Sequence, residues 1–184
     1  IGNSVVGCHV DGSGDDGINI GGDSPASENN TVTGNVVENC TNDGIHVSDN
    51  SEGTSVLGNT CFNNGYGIGL FNAKRVAISG NVLRNNTNRG IHTPSGNCTN
   101  VSISGNSITG GLRGINIDAG RNFSIVGNVV DAPSDYGIVV SGPDDVTVVG
   151  NQVRDGCSNS AIFLSGTEDT TVVGNSVDAC GGDG

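Results

Sequence analysis

A repeat restricts this chain more than any other feature. At near-regular spacing Gly-Asn recurs at 2–3, 34–35, 58–59, 80–81, 105–106, 127–128, 150–151 and 174–175, with steps between these Asn of 32, 24, 22, 25, 22, 23 and 24 residues. From the second occurrence on, a short alternating stretch leads into it: TVTGN, SVLGN, AISGN, SISGN, SIVGN, TVVGN and TVVGN. Each Gly-Asn but the last is followed by a second marker, in turn GINI, GIHV, GIGL, GIHT, GINI, GIVV and AIFL. A propeller blade needs roughly 40 residues, and the Leu-rich frame of a leucine-rich repeat is absent. Three stretches of two-residue period in one short unit make one turn of a parallel β-helix, each turn stacked on the last at about 4.8 Å.

Register assigns the residues. Ile18, Ile45, Ile68, Ile91, Ile115, Ile138 and Ile162 are expected to stack inside. The residue two after each Asn does the same in the middle strand: Val5, Val37, Cys61, Leu83, Ile108, Val130, Val153 and Val177. Asn3, Asn35, Asn59, Asn81, Asn106, Asn128, Asn151 and Asn175 are expected to form an inward ladder of side-chain amides. Each preceding Gly supplies the bend. On this spacing IGNSVVGC (1–8) and VGNSVDAC (173–180) occupy the same place in the first and last rungs. Both ends then fall in mid-rung. Residues 1–184 are therefore expected to be one β-helix domain cut from a longer solenoid, or one whose ends carry neighbours. An uncapped rung is a template for strand pairing, which makes end-to-end self-association an expectation.

The pattern resembles the right-handed parallel β-helix repeats of the pectate-lyase-like superfamily over nearly the whole chain. The resemblance implies an all-β fold: a single right-handed parallel β-helix solenoid of about eight rungs of 22–25 residues, three short strands per rung. That fold hosts many functions, so activity has to be argued from a site.

Charge and composition exclude some partners. The net charge is −12 with seven basic residues, which repels phosphate backbones and argues against nucleic acid. No apolar run approaches the roughly 20 residues of a membrane span. Six Cys suit an oxidising compartment, with Cys8 and Cys40, or Cys157 and Cys180, as rung-to-rung disulfide candidates beside reduced Cys ladders. Sequons at Asn29, Asn39, Asn85, Asn97, Asn100 and Asn122 favour secretion. The expected location is extracellular or at the cell surface.

A β-helix builds function by lining up outward residues. The residues before the Gly-Ile marker are Asp16, Asp43, Tyr66, Arg89, Arg113, Tyr136 and Ser160. The outward residues one after the Ile are Asn19, His46, Gly69, His92, Asn116, Val139 and Phe163, with Gly69 leaving a gap between the two His. Together they suit an acidic polysaccharide. Arg89 and Arg113 neutralise a uronate carboxylate. His46, His92 or Tyr66 moves the C5 proton. Asp16, Asp43, Asn19 and Asn116 bind substrate, and Asp15, Asp16 and Asp43 are candidate Ca²⁺ ligands between protein and glycan. Lyase and epimerase chemistry need those roles, whereas a hydrolase needs two flanking carboxylates. GSGDDGINI resembles the Asp-Asp strand of polygalacturonases, but the Gly-His-Gly and Arg-Ile-Lys motifs of that family are absent, as is the Asp-Pro-His motif of alginate epimerases. No catalytic residue is transferred from either family. The alternative is a non-catalytic structural or adhesive solenoid, or a filament subunit associating through its ends.

Overall fold

The computed structural model describes residues 2–22 and 27–181, which coil into a parallel β-helix with three sheets running its length. The first sheet holds the strands that lead into the Gly-Asn bend, from Thr31–Thr33 to Thr171–Val173, and begins with Ser4–Val6, which leads into Gly7-Cys8 at the same bend. The second holds the strands that follow this bend, from His9–Asp11 to Ser176–Asp178. The third holds the Gly-Ile strands, from Ile18–Ile20 to Ile162–Ser165. The second sheet has 8 strands and the third 7, so the described chain makes about 7 full turns.

Strand alternation sends every second side chain inward. Val56, Ile78 and Ile103 line the first sheet, Cys61, Leu83 and Ile108 the second, and Ile68, Ile91 and Ile115 the third, all essentially inaccessible. Register keeps like over like: Ile68 pairs with Ile45 and Ile91, and Ile115 with Ile91 and Ile138. Each such burial contributes about 1.5–3 kcal/mol against leaving the side chain in water. The turns between sheets use left-handed residues. Gly34, Gly58, Gly80, Gly105, Gly127, Gly150 and Gly174 have φ between 61° and 65°, where a Cβ is penalised. The next bend uses Asn39, Asn63 and Asn85 and then Ala132 and Asp155, with φ between 51° and 58°.

Buried asparagines close the first bend. Asn81 shows the pattern: its Nδ2 donates to Val56 O (2.9 Å) and Asn106 Oδ1 (3.0 Å), and its own Oδ1 accepts from Asn59 N–H (2.9 Å) and Asn59 Nδ2 (3.0 Å). The chain of amides runs unbroken from Asn35 through Asn59, Asn81, Asn106, Asn128 and Asn151 to Asn175. Asn3 lies outside it. Its amide donates to Asn30 Oδ1, and the residue stacked below Asn35 is Cys8, whose N–H donates to Asn35 Oδ1. Val5 accordingly pairs with Val32 in the first sheet, whereas Val177 pairs with Val153 in the second. IGNSVVGC and VGNSVDAC are thus one strand out of register, which is the origin of the 32-residue first step. A second, shorter ladder at the next bend joins Asn64 to Asn86, and Cys40 N–H donates to Asn64 Oδ1.

That register also sorts the cysteines. Cys157 and Cys180, at this second bend on adjacent turns, form a disulfide. Cys8 and Cys40 sit at different bends and stay free. Of the long excursion at 21–30, residues 23–26 lie outside the described residues; Ser27–Glu28 pairs with Ser51–Glu52 of the neighbouring excursion. Of the closing CGGDG, residues 182–184 likewise lie outside them. Among the described residues no helix is long and apolar enough to cross a membrane.

Candidate functional site

The outer face of the third sheet carries two columns of side chains. Register stacks Asp43, Tyr66, Arg89, Arg113 and Tyr136 in one. Three residues further along each strand it stacks Asn19, His46, Gly69, His92, Asn116, Val139 and Phe163. Parallel pairing makes successive members near neighbours, about 4.8 Å apart.

Gly69 decides what happens between the two histidines. A Cβ at Gly69 would collide with the Asp43 carboxylate, which fills the space over that glycine. Asp43 is 2% exposed. Its Oδ2 accepts from His46 Nδ1 at 2.5 Å and its Oδ1 from His92 Nε2 at 2.8 Å. Two imidazoles separated by a whole rung thus converge on one carboxylate. Burial pushes the Asp43 carboxyl upward, but the hydrogen bonds and charge of His46 and His92 outweigh it, and its pKa is lowered. Burial pulls His46 down, yet the bond to Asp43 and the negative charges of Asp43, Asp16 and Asp15 win, and its pKa is raised. Tyr66 packs its ring on His92, with centroids 4.3 Å apart and planes 19° from parallel.

The flanking residues hold this centre. Asp16 accepts from Asn42 Nδ2 (2.9 Å), from the backbone N–H of Asp43 (3.1 Å) and from Asn19 Nδ2 (3.1 Å). Ligand atoms of Asp16, Asp43 and His46 lie within 4.8 Å of one another; Asp15 is not in that group. On the other side Arg113 donates through Nε to Asp135 (3.1 Å) and through Nη1 to Asn116 Oδ1 (2.7 Å), with its guanidinium 5.2 Å from the Tyr136 ring centroid. Arg89 approaches only Asp118, at 3.9 Å, among the described residues. The structure therefore brings His46, His92, Tyr66, Asp43 and Asp16 into one cluster, with Arg89 on the His92 strand and Arg113 on the turn beyond. Asp43, expected to face substrate, is instead the buried post on which both imidazoles are mounted. Asn42 and Asp135 support the cluster without having been singled out in the sequence. Their signal was slight: each is a polar residue immediately before a column member.

Comparisons with known proteins agree with this architecture. Residues 63–184 match the family model described as right handed beta helix region, and residues 2–119 match the model described as periplasmic copper-binding protein (NosD). No curated protein sequence matches the chain. Among solved structures, the Dettilon tailspike protein is similar at 16% identity and a TM-score of 0.61, over 97% of this chain and 54% of that one. The catalytic unit of a thermostable GH87 α-1,3-glucanase from Streptomyces thermodiastaticus strain HF3-3 is similar at 15% identity and a TM-score of 0.58, over 98% of this chain and 48% of that one. At those identities the likeness is one of fold, and the chain spans about half the length of either protein. The coil of three parallel sheets and the two family matches, each covering more than half of the sequence, make this chain a member of the right-handed β-helix family, with residues 2–119 belonging also to the NosD family.

Proposed function

We propose that the chain is part of a β-helix protein working outside the cytoplasm, which lays an acidic, uronate-bearing polysaccharide along the outer face of the third sheet and removes the C5 proton of a uronate. The observation that carries this reading is the pair of imidazoles on Asp43. With Nδ1–H committed to the buried carboxylate, the neutral His46 ring keeps the lone pair of Nε2 to accept a proton. Asp43 fixes the tautomer and strengthens the base, as a carboxylate does for a general-base histidine. Arg89 and Arg113 supply positive charge along the same axis, where a sugar carboxylate is neutralised and its α-proton becomes acidic. In elimination the C5 proton passes to His46 Nε2, the C5–H electron pair forms the C4=C5 bond, and the C4–O bond breaks. The leaving oxygen takes the proton of Tyr66, which lies one rung from His46. In epimerisation Tyr66 instead returns a proton to C5 from the opposite face. Hydrolysis is less well served, because both Asp43 oxygens are bound to imidazoles and Asp16 accepts three hydrogen bonds.

The disulfide Cys157–Cys180 and the word periplasmic in the NosD description support a location outside the cytoplasm. The fold's use by a glucanase agrees with a polysaccharide ligand without specifying one. Copper, named in the NosD description, does not fit the donors present. The chain has no Met. Burial raises the thiol pKa of Cys40, Cys61 and Cys98, and the Asp16, Asp43 and His46 group offers one imidazole among oxygens that already accept hydrogen bonds. Of the expected calcium ligands Asp15, Asp16 and Asp43, Asp15 lies outside the group and both Asp43 oxygens are bound to imidazoles, which leaves too few oxygens for the six to eight that Ca²⁺ takes, and no step is assigned to either ion.

The test is incubation with alginate, pectate and neutral glucans, with and without Ca²⁺, followed by NMR of the products. Unsaturated ends or inverted C5 centres on the acidic polymers alone, lost in His46→Gln, are the expected result. Unchanged acidic polymers overturn the proposal.

A further inference from the structure

Two buried polar atoms on neighbouring rungs have no partner among the described residues: His92 Nδ1 and Asn116 Nδ2. Both residues are well over nine-tenths buried, His92 at 5% and Asn116 at 0% exposure. They are register partners, side by side on the outer face of the third sheet. Their other polar atoms are engaged. His92 Nε2 donates to Asp43, and Asn116 Oδ1 accepts from Arg113. Those bonds fix what is left over. In the neutral ring the His92 proton sits on Nε2, held by Asp43, so Nδ1 is then a bare acceptor on the ring edge away from Asp43. The Asn116 amide is held oxygen-first by Arg113, so Nδ2 presents unused donors. A buried polar group without a partner costs about 1–3 kcal/mol, and here two of opposite kind lie together.

One chemical group satisfies both at once. A hydroxyl donates its proton to Nδ1 and accepts from Nδ2; a carboxylate gives Nδ1 nothing, and an ammonium gives Nδ2 nothing. Arg89 is a neighbouring cation: it stands on the His92 strand and reaches toward Asp118, two residues past Asn116 on the next turn. The 3.9 Å approach to Asp118 is too long for a hydrogen bond and leaves the guanidinium loosely held. We infer that His92 and Asn116 form a hydroxyl-binding subsite beside Arg89, which accepts one sugar hydroxyl of the uronate whose carboxylate Arg89 holds. The inference rests on the polysaccharide reading above and deepens it. It gives the site a means of telling sugars apart by the placement of a hydroxyl relative to a carboxylate, and it removes His92 from proton transfer. His92 becomes a positioning residue, with His46 alone as base.

The test uses the full chain labelled with ¹⁵N at histidine, titrated with trimers prepared from alginate and from pectate. On binding, the His92 Nδ1 resonance is expected to move in the direction of an accepted hydrogen bond, while Nε2 keeps its proton. Asn116→Leu is expected to weaken binding about tenfold, the loss of one hydrogen bond, with the His46 titration unchanged. Because that variant alters a buried residue, the resonance of the unmodified protein is the deciding measurement. Binding of either trimer with an unmoved Nδ1 resonance overturns the subsite and leaves the polysaccharide reading standing. Binding of neither trimer overturns both.

Discussion

Asp43→Asn isolates the centre of the site, because it keeps the shape of the side chain and removes only its charge and one acceptor. In the native protein the carboxylate accepts from both imidazoles, at 2.5 and 2.8 Å. An asparagine offers one carbonyl oxygen, so one imidazole loses its acceptor and the other keeps a neutral bond. A hydrogen bond to a charged group contributes about 1.5–3 kcal/mol and a neutral one about 1 kcal/mol. Losing one and weakening the other costs about 3 kcal/mol, or about 6–12 °C in melting temperature for a chain of this size. The cost depends on pH. The Asp43 pKa is lowered from 3.8, so its contribution is present above that value and is lost as pH falls through the folded pKa. The His46 pKa is raised from 6.5, so its contribution is present in full below that value and is lost as pH rises through the folded pKa. Both operate in the window between those two reference values. Melting of native and variant protein at about pH 5.5 and about pH 9 should therefore show a larger gap at the lower pH. Proton NMR of the variant should show His46 titrating at lower pH than in the native protein. An equal gap at both pH values, or an unmoved His46 titration, refutes the assignment of Asp43 as the post that holds the imidazoles.

Other substitutions separate fold from site. Gly69→Ala places a methyl group where the Asp43 carboxylate lies and is expected to cost about 1–3 kcal/mol in urea denaturation while also lowering the His46 pKa; native stability in that variant contradicts the role given to Gly69. Asn81→Leu leaves Asn59 N–H and Nδ2 without their acceptor and Val56 O without its donor, for an expected loss of about 3 kcal/mol by the same assay. Ala132→Asn puts a residue tolerant of left-handed backbone at φ 51° on an exposed bend, and a rise of about 0.5 kcal/mol in thermal stability is expected. Arg89→Ala should weaken binding of acidic oligosaccharides about tenfold by calorimetry, with the melting temperature within about 2 °C of native because the side chain is loosely paired.

The fold was legible because its strongest signals repeat. Stacking makes each rung impose the same demand at the same place, so Ile68, Ile91 and Ile115 announce one another, and so do Asn59, Asn81 and Asn106. A dipeptide that is not stacked carries no such guarantee. Gly2-Asn3 looks like the other members and sits one strand earlier, and Gly96-Asn97 belongs to neither ladder: Asn97 N–H donates to Asn72 Oδ1. The uneven 32-residue step was the visible warning. The Asn64–Asn86 ladder escaped notice because it has only two asparagines and is continued below by Cys40.

The site obeys a different logic, which is why register alone placed its residues without giving them their roles. The column order put His46 and His92 two rungs apart, too far to meet, with Gly69 as an empty step between them. The empty step is what lets them act together. Missing a side chain at one rung creates room for a side chain from another, and Asp43 on the strand below leans into that room and joins the two rings. A regular column can only repeat a chemical group at the spacing of the sheet, whereas a column with one glycine can gather a carboxylate and two imidazoles within hydrogen-bonding distance. The same reasoning distinguishes the two histidines. His92 is stacked by Tyr66 and enclosed, and its Nδ1 has no partner among the described residues. His46 lies at the border of the cluster, with its side chain 18% exposed. In a solenoid the departures from periodicity, more than the repeated residues, are therefore where chemistry should be sought, and in this chain the sharpest departure on the third sheet is Gly69.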